Sequence, residues 1–460
     1  MKTSGKLKLE EAVMKPVEKG PDGLQGIGID IGTTTICGVL ADENGNVKKS
    51  VTLANDSAME GENQWERMQD AEKIFLRCKE VLEQLQDCLG EIGTLGISGQ
   101  MHGILYVDEE GRAASPLYSW QDGRGGLVFR EGKTYSEYLT GITGYQMATG
   151  YGLTTHYYNL KNGLVPEGKV KLCTIGDYVA MRLSEGKTPV MHKSMAASLG
   201  MFDLAKGEFD RAALDKAGID GSILPKVSGS EQYLRYNNGD RPAVAMALGD
   251  NQASFYGSVE EGSTVLVNIG TGSQISVLAD SYDGGMGVEY RPYVGDSYLI
   301  VGSPLCGGAS YALLKNFFKE TVRLFTGKEP EDIYSFMNQA AEEAYEKEDA
   351  LEIDTRFLGS RKEPEVRGSV KNISFYNFTP GDFAIGILRG MGRELYEIYQ
   401  KIPEEYRRTN MITGSGNGIR KNPLLKRVLE DMFGKEIRIP QYEEEAAYGA
   451  ARYAMDLYGE

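Results

Sequence analysis

The chain has 460 residues, of which 41% are hydrophobic, and 50 basic against 66 acidic residues give a formal net charge of −16. This length predicts two or three domains, each large enough to bury a core without disulfide or metal staples. Because an acidic surface repels phosphate backbones and anionic lipid, we expect a small metabolite as the partner, with no nucleic acid and no membrane.

The cysteines and the N-terminus indicate the compartment. The five cysteines are widely spaced, form no CxxC pair and predict free thiols in a reducing cytosol. The first twenty residues lack the apolar core of a signal peptide, and no run of about 18 apolar residues predicts a membrane span. We therefore expect a cytoplasmic protein. The three histidines do not have the spacing of metal ligands, so we also expect no structural metal.

The first half of the chain predicts the element order β-β-β-α-β. Apolar stretches at residues 26–31 and 36–40 are joined by a glycine-threonine turn, and the DENGN segment that follows predicts a two-residue hairpin turn. A helical pattern then covers residues 64–89, and a buried parallel strand is predicted over 92–100.

The second half repeats this plan. The apolar run 243–249 is followed by two apolar strands around a Gly-Thr-Gly turn within residues 265–280. Helices and one strand are then predicted at 308–325, 331–347, 382–401, 411–416 (the strand), 423–433 and 443–458. The repetition predicts two α/β domains facing each other across a cleft. We place an arm at residues 1–23, a first domain at 24–257 and a second at 258–460.

The GIDIGTTT segment (residues 28–35) is the first candidate ligand site. It lacks the P-loop pattern and continues into a strand instead of a helix. A hairpin with Gly32 and three threonines can present N–H groups and hydroxyls to a phosphate, and Asp30 can hold a hydrated Mg²⁺. An ordinary Thr-rich hairpin is the alternative. The NIGTGSQIS segment (268–276) repeats the arrangement and favours a pair of phosphate-binding hairpins.

Asp250 is the candidate reactive group. It directly follows an apolar strand and precedes a predicted helix, in the segment LGDNQASFYG. Its carboxylate would then lie at the carboxyl end of a strand, where α/β folds bind ligands. A helix N-cap is the alternative, since Asp is common there.

Three further segments combine polar side chains with turn glycines. SGQMHG (98–103) and SWQDGR (119–124) hold residues that would be unusual in a core, and solvated loops are the alternative. The glycine-rich segment 413–434 predicts a turn and a helix capped by Asn422. A nucleotide base can lie on that backbone, although a plain loop and a capped helix also explain it.

Together with the closing EEAAYGAA, these segments resemble the FGGY carbohydrate kinases over about residues 24–458. The resemblance implies two RNase H-like α/β domains of the actin, heat-shock-protein-70 and sugar-kinase superfamily, and a kinase that uses ATP and Mg²⁺. SGQMHG and SWQDGR look like the ketose kinases, and GDNQAS with the glycine-rich segment from 413 looks most similar to the members that act on sedoheptulose, with those that act on D-xylulose second. The resemblance therefore implies phosphorylation of the terminal hydroxyl of sedoheptulose or, second, of D-xylulose. GSG in place of GGG and extra residues before Asn422 depart from the pattern.

The resemblance also implies a role for each matching residue. Asp250 would be the general base and Asp30 the acid linked to Mg²⁺. The residues that would form the two phosphate loops are Gly32, Thr33, Thr34, Thr35, Gly270, Thr271 and Gly272, and Gly307 with Gly308 would form a small-residue turn near the nucleotide. The adenosine would lie on Gly414, Ser415, Gly416 and Asn422. The sugar pocket would be lined by Gln100, Met101, His102, Trp120, Asp122, Arg124 and Asp250. Asp177 also matches a family position, but a helix cap explains it.

A second hypothesis keeps this fold but makes the protein an ATP-driven binding or filament module, like the chaperone and actin branches. The polar set of His102, Asp122 and Arg124 beside Asp250 favours the kinase, because a chaperone or filament has no use for a sugar pocket. A catalytically silent sugar sensor is disfavoured, since Asp30 and Asp250 are both present.

Overall fold

The computed structural model of the protein describes residues 23–86, 92–228, 232–236, 241–259, 262–284, 288–360, 363 and 365–457. The predicted arm lies outside these residues except for Gly23, and so does Cys88. The other cysteines are buried and form no disulfide. Across the described residues, none of the helices combines the length and the apolar character that a membrane crossing requires.

The first large sheet begins with the three antiparallel strands that the sequence predicts. They are β1 (Gln25–Ile31), β2 (Thr35–Ala41) and β3 (Val47–Ala54). Helix α1 (Ala71–Gln86) follows and leads to β4 (Ile92–Gly99), which runs parallel to β1. The order β-β-β-α-β is therefore confirmed, although the helix starts later than predicted. The remaining strands are β5 (Tyr233–Arg235), β6 (Ala243–Ala245) and β7 (Leu248–Gly249). The sheet order is β5-β6-β4-β1-β2-β3, with β7 also paired to β4.

The turn between β2 and β3 differs from the two-residue turn that DENGN predicts. It is a five-residue loop, because β2 ends at Ala41 and β3 begins at Val47. Asp42 Oδ1 accepts hydrogen bonds from the backbone N–H groups of Asn44 (3.0 Å) and Asn46 (2.8 Å). These two bonds stabilise the wider loop.

The second large sheet repeats the plan of the first. Its strands are β8 (Ser263–Ile269), β9 (Ser273–Ala279), β10 (Glu289–Pro292), β11 (Tyr298–Gly302), β12 (Met411–Ser415) and β13 (Glu436–Arg438). The order is β10-β11-β9-β8-β12-β13, in which β8, β9 and β11 are antiparallel and β12 pairs with β8 in parallel. Two sheets of this plan confirm the predicted α/β fold with two RNase H-like units.

Shorter elements complete the structure. Between β4 and β5 lie α2 (Tyr135–Thr143), α3 (Gly152–Lys161), α4 (Ile175–Leu183), α5 (Lys193–Ser198) and α6 (Arg211–Ala217). After β7 come α7 (Asp250–Ser258), α8 (Gly308–Thr326), α9 (Ile333–Glu343), α10 (Pro380–Lys401), α11 (Asn417–Arg420), α12 (Pro423–Phe433) and α13 (Glu445–Asp456). One small three-stranded sheet, which we call the bracket sheet, consists of Ala58–Met59, Met68–Gln69 and Leu117–Tyr118. Paired short strands are Leu105–Val107 with Lys171–Cys173, Val128–Arg130 with Lys133–Thr134, Val190–Met191 with Lys226–Val227, Phe202–Asp203 with Glu208–Phe209, and Glu352–Asp354 with Ser369–Lys371.

The last helix, α13, packs against the first sheet although it comes from the end of the chain. A Cβ on Gly28 of β1 would lie 1.9 Å from the carbonyl oxygen of Ala447, and one on Gly96 of β4 would lie 1.9 Å from that of Ala450. A Cβ on Gly449 would lie 1.9 Å from a carbonyl oxygen of α7. The small residues of EEAAYGAA are therefore needed for this close packing. The domain boundary near residue 257 stays a prediction. The end of the chain, as helix α13, returns to pack on the first sheet.

Candidate active site

A cavity of about 430 Å³ lies between the two sheets. Residues from the first half line one side: Met101, His102, Trp120, the loop Ala148–Tyr151 and Asp250. Gln274, Arg291 and Ser303 come from the second sheet or its loops. Four of the predicted sugar-site residues therefore meet in one cavity. The sequence reasoning missed the loop and the three residues of the second half, which lie outside the motif positions assigned to the sugar.

His102 is held in one orientation and one tautomer. Its backbone φ is +72°, and its N–H donates to Ser198 Oγ at 3.1 Å. Ring Nδ1 lies 2.7 Å from the carbonyl oxygen of Ser198, so Nδ1 carries the proton and Nε2 is the acceptor of the neutral ring. The ring also stacks on Tyr151, with centroids 4.8 Å apart. The ring thus faces the cavity in a fixed orientation.

Asp250 is the first residue of α7, directly after β7. The N-cap position belongs to Gly249, so the N-cap interpretation of Asp250 is wrong. Its Oδ1 accepts the backbone N–H of Asn251 at 2.7 Å. The side chain is open to the cavity, yet the protein around it removes much of the water, and this desolvation raises the pKa of Asp250, against the hydrogen bond from Asn251 and the charge of Arg291. A carboxylate of raised pKa at a cavity wall can accept a proton.

Arg291 supports this wall from the second sheet. It lies on β10 and pairs with Glu289, Nε to Oε1 at 2.7 Å. Its Nη1 also donates to Asn251 Oδ1 at 3.3 Å, next to Asp250 in the chain. The guanidinium of Arg291, on the second sheet, therefore stands beside the carboxylate of Asp250, which directly follows β7 of the first sheet.

Asp30 lies at the carboxyl end of β1 and accepts a hydrogen bond from Ser98 Oγ at 2.8 Å. Burial and, after it, the charges of Asp250 and Glu444 raise its pKa to about 7, against the hydrogen bond from Ser98. Concentrated negative charge of this kind fits a divalent cation. Among the described residues no three acidic, His or Cys side chains form a ligand cluster. A Mg²⁺ ion takes one or two carboxylates and completes its shell with phosphates and water, so Asp30 could hold one.

The first hairpin turns through Gly32, Thr33 and Thr34, where the sequence predicts it. Gly32 N–H donates to the carbonyl oxygen of Thr35 at 3.0 Å, and Thr34 and Thr35 are exposed. Asn55 holds the turn from β3, with its Nδ2 donating to the carbonyl oxygen of Gly32 at 2.8 Å. The two exposed hydroxyls are therefore accessible to a ligand.

The second hairpin turns through Gly270, Thr271 and Gly272, and the start of α8 packs directly on it. The N–H of Gly307 donates to the carbonyl oxygen of Thr271 at 3.1 Å, and that of Gly308 to Gly270 at 2.9 Å. A Cβ on Gly307 would lie 2.2 Å from the carbonyl oxygen of Gly272. The predicted residues are therefore together, and Gly307 has no room for a side chain.

The predicted adenosine segment ends β12 next to the second hairpin. Gly414 and Ser415 belong to β12, and Ser415 Oγ accepts from Asn268 Nδ2 at 2.8 Å. Gly416 has φ +83°, and a Cβ there would lie 2.5 Å from a carbonyl oxygen of β8. Asn422 caps α12 by accepting the N–H of Leu425 at 3.1 Å. The cap prediction for Asn422 is confirmed.

Asp122 and Arg124 do not line the cavity, contrary to the prediction for the sugar site. Their side chains are 0% and 2% exposed and form an ion pair, Nε to Oδ1 at 2.6 Å. Arg124 also donates to Asn159 Oδ1 at 2.5 Å, and its guanidinium lies 4.1 Å from the ring centroid of Tyr118. Because these groups are already paired and desolvated, they support the wall from behind.

Gln100 is also absent from the cavity lining. It is 3% exposed, and its Nε2 donates to Gln69 Oε1 at 2.9 Å. Asp177 forms a capping box with Thr174 at the start of α4, which confirms the helix-cap interpretation.

Comparisons with known proteins agree with this architecture. Two models of the FGGY family of carbohydrate kinases match, the N-terminal domain at residues 26–253 and the C-terminal domain at residues 265–456. Sedoheptulokinase from Mus musculus is 28% identical over 92% of this chain and 96% of its own length. A xylulose kinase from Staphylococcus epidermidis is 25% identical over 92% of this chain and 86% of its own.

Among solved structures, gluconate kinase from Lactobacillus acidophilus superposes with a TM-score of 0.78 at 20% identity, covering 95% of this chain and 90% of that one. This likeness shows the fold. The two family models together span both sheets and most of the chain. The protein belongs to the FGGY family of carbohydrate kinases and is an ATP-dependent sugar kinase.

Proposed function

We propose that the protein phosphorylates the terminal primary hydroxyl of a ketose, with sedoheptulose preferred and D-xylulose second. The observation that carries the proposal is Asp250, which places a carboxylate of raised pKa on the wall of a cavity that His102 and Trp120 also line. The similarity to mouse sedoheptulokinase, at 28% identity, supports the choice of sugar.

The chemistry follows from what phosphoryl transfer requires. The protein positions the reactants and stabilises charge on the transferred group, because little covalent chemistry is left for it. A sugar hydroxyl has a very high pKa, so a carboxylate within hydrogen-bond reach must accept its proton as the hydroxyl oxygen bonds to the γ-phosphorus of ATP and the bond from that phosphorus to the leaving ADP breaks. We assign this step to Asp250.

The two hairpins would bind the phosphates of ATP, and the segment from Gly414 to Gly416 with Asn422 would bind its adenosine. Asp30 would hold Mg²⁺, which would supply positive charge against the phosphates. The chain itself is acidic, with a net charge of −16, so the hairpin amides alone are a weak counterweight to three phosphates. The cavity lies between the two sheets, so their closure over ATP would exclude water as a competing acceptor.

Recognition of the sugar is assigned to the groups that face the cavity. The ring of His102 would contact the sugar, and Arg291 and Gln274 would contribute from the second sheet. A buried polar group left unpaired by a misplaced hydroxyl is costly, so this pocket should discriminate among sugars. Asp122 and Arg124 would act only by holding the wall in place.

A panel of ketoses, aldoses and glycerol with coupled ADP detection tests the proposal. We expect the highest kcat/KM for sedoheptulose, measurable turnover of D-xylulose, and negligible turnover of glycerol and aldoses. The Asp250→Asn variant, assayed in parallel, identifies ADP from a contaminating kinase. If glycerol or an aldose is the best substrate, the ketose assignment is wrong, while the family and the role of Asp250 survive.

A further inference from the structure

Thr33, at the tip of the first hairpin, accepts hydrogen bonds at two of its atoms from side chains outside the hairpin, one of which lines the cavity. The indole Nε1 of Trp120 donates to Thr33 Oγ1 at 3.1 Å. Gln69 Nε2 donates to the carbonyl oxygen of Thr33, also at 3.1 Å. The side chain and the backbone of one residue are thus both held by groups outside the hairpin.

Both donors belong to the bracket sheet or directly follow it. Gln69 lies on the strand Met68–Gln69 and pairs with Leu117 of the neighbouring strand, while Trp120 follows that strand by two residues. Because the two strands are hydrogen-bonded to each other, one sheet holds both donors. This sheet therefore connects the sugar cavity to the hairpin.

Gln69 is fixed in turn from the cavity side. It is 5% exposed, and its Oε1 accepts from Nε2 of Gln100, which is also buried. Gln100 directly precedes Met101 and His102 of the cavity wall. The donor at Oε1 and the carbonyl acceptor of Thr33 together fix the amide orientation of Gln69, with Nε2 facing Thr33.

Trp120 differs from Gln69 because its ring is open to the ligand. It is 46% exposed and lines the cavity, while its N–H is engaged by Thr33. A sugar in the cavity would cover the ring and restrict its rotamers. The same indole would then hold the hairpin hydroxyl in one position.

We propose that Trp120 and Gln69 are positioning residues that couple sugar binding to nucleotide binding at the first hairpin. The inference rests on the proposed function only in taking the cavity as the sugar site. By linkage, sugar should tighten nucleotide binding by the same factor by which nucleotide tightens sugar binding. One hydrogen bond held in only one of the two states corresponds to a coupling of about fivefold.

The first test needs no knowledge of the sugar. The sequence has two tryptophans, Trp65 and Trp120, so a Trp65→Phe variant reports on Trp120 alone. We expect a non-hydrolysable ATP analogue with Mg²⁺ to change the emission of Trp120. Adding Thr33→Val to this variant should abolish that response, because the bond that connects the hairpin to the indole is gone. A response that persists in the Thr33→Val variant, or no response with calorimetrically confirmed binding, would overturn the proposal.

The second test measures the coupling itself. Calorimetry gives the affinity of the ATP analogue with and without saturating sugar, and the ratio of the two is the coupling factor. Trp120→Phe keeps an aromatic ring and loses the N–H, while Thr33→Val keeps the shape and loses the hydroxyl. Each should lower the coupling factor by about fivefold, and the double variant should lower it no further, because both remove one bond.

Thr34→Val is the matched control, since it removes the neighbouring hydroxyl and leaves the bond between Trp120 and Thr33 in place. It can lower the affinity for the analogue, but the coupling factor should stay at the wild-type value. An additive double variant, or an equal loss of coupling in Thr34→Val, would contradict the proposal. If a sugar other than a ketose proves to be the substrate, the same measurements with that sugar keep the two proposals separate.

Discussion

The two glycine hairpins each join two antiparallel strands of their sheet, β1 to β2 and β8 to β9, but they are held in different ways. Three side chains bond the first, Asn55 to Gly32 and Gln69 and Trp120 to Thr33, in addition to the backbone N–H of Asn55, which donates to Thr34. Backbone groups hold the second, because the N–H groups of Gly307, Gly308 and Ala309 donate to its carbonyl oxygens.

This difference indicates a division of labour. The side chains near the first hairpin include the carboxylates of Asp30 and Asp250. This half of the molecule can therefore respond to protons, metal and sugar. The second hairpin is packed against the start of α8 so closely that Gly307 has no space for a methyl group. We infer that the groups that take part in the reaction and in its regulation surround the first hairpin, and that the second hairpin is a rigid support.

The largest expected effect comes from Asp250, whose charge acts on Asp30 beside the first hairpin. Asp250→Asn should lower turnover at saturating ligands by about 10²- to 10⁴-fold, because the amide cannot accept the proton of the hydroxyl. Calorimetry should show that ATP and sugar still bind, since the amide is nearly isosteric. A loss of less than about tenfold would show that Asp250 is not the general base.

Gly307→Ala tests the rigidity of the second hairpin. The new Cβ would lie 2.2 Å from the carbonyl oxygen of Gly272, a backbone atom that cannot move without moving the turn. We expect a loss of about 1–3 kcal/mol of stability and weaker nucleotide binding, measured by thermal denaturation and calorimetry.

Gly272→Ala is the matched steric control for that variant. Its Cβ would meet only the carbonyl oxygen of Pro304, at an ordinary 3.8 Å. The midpoint of unfolding should therefore stay close to that of the wild type. Equal losses in Gly307→Ala and Gly272→Ala would show that close backbone packing does not hold this hairpin.

Asp30→Asn tests the electrostatics of the first hairpin without metal. The pKa of Asp30 is about 7 in the folded protein against 3.8 for the free group, so between these values the folded state keeps a proton that the unfolded state has lost. Stability therefore falls as pH rises from about 4 to 7, and the cost is fully present above pH 7. Asn still accepts from Ser98 but cannot ionise.

The variant should therefore lose about 2 kcal/mol less stability than the wild type when metal-free protein is taken from pH 5 to pH 8. Asp177 and Glu394, whose pKa values burial also raises to about 7, are present in both proteins and cancel in the difference. If the stability of the two proteins changed with pH in parallel, Asp30 would not be a buried group that becomes charged over this range. In activity assays the variant should need more Mg²⁺ for half-maximal turnover.

The hairpins and their parent strands could be predicted because local patterns determine them: apolar runs, turn glycines and the sheet order they imply. Asp122 and Arg124 show where this fails. Their motif fixes residue type but not orientation, and only the folded chain shows that the aromatic wall around them buries them as an ion pair. Arg291 lies on a short strand with no local motif, and it reaches the site only because the two sheets face each other.

The smallest expected effect concerns the distance between the two hairpins. Each hairpin belongs to a different sheet, and a nucleotide that contacts both would favour a closed arrangement over an open one. Helix α13 packs on the first sheet and on α7 while it continues from the second half, so we expect closure to pivot near these helices.

A compact chain of 460 residues has a radius of gyration of about 23 Å. Solution scattering should show a decrease of about 1 Å with sugar and a non-hydrolysable ATP analogue together, as expected of hinge closure, and a smaller change with sugar alone. An unchanged radius with both ligands bound, confirmed by calorimetry on the same sample, would mean that both hairpins are rigid supports and would remove the contrast between them.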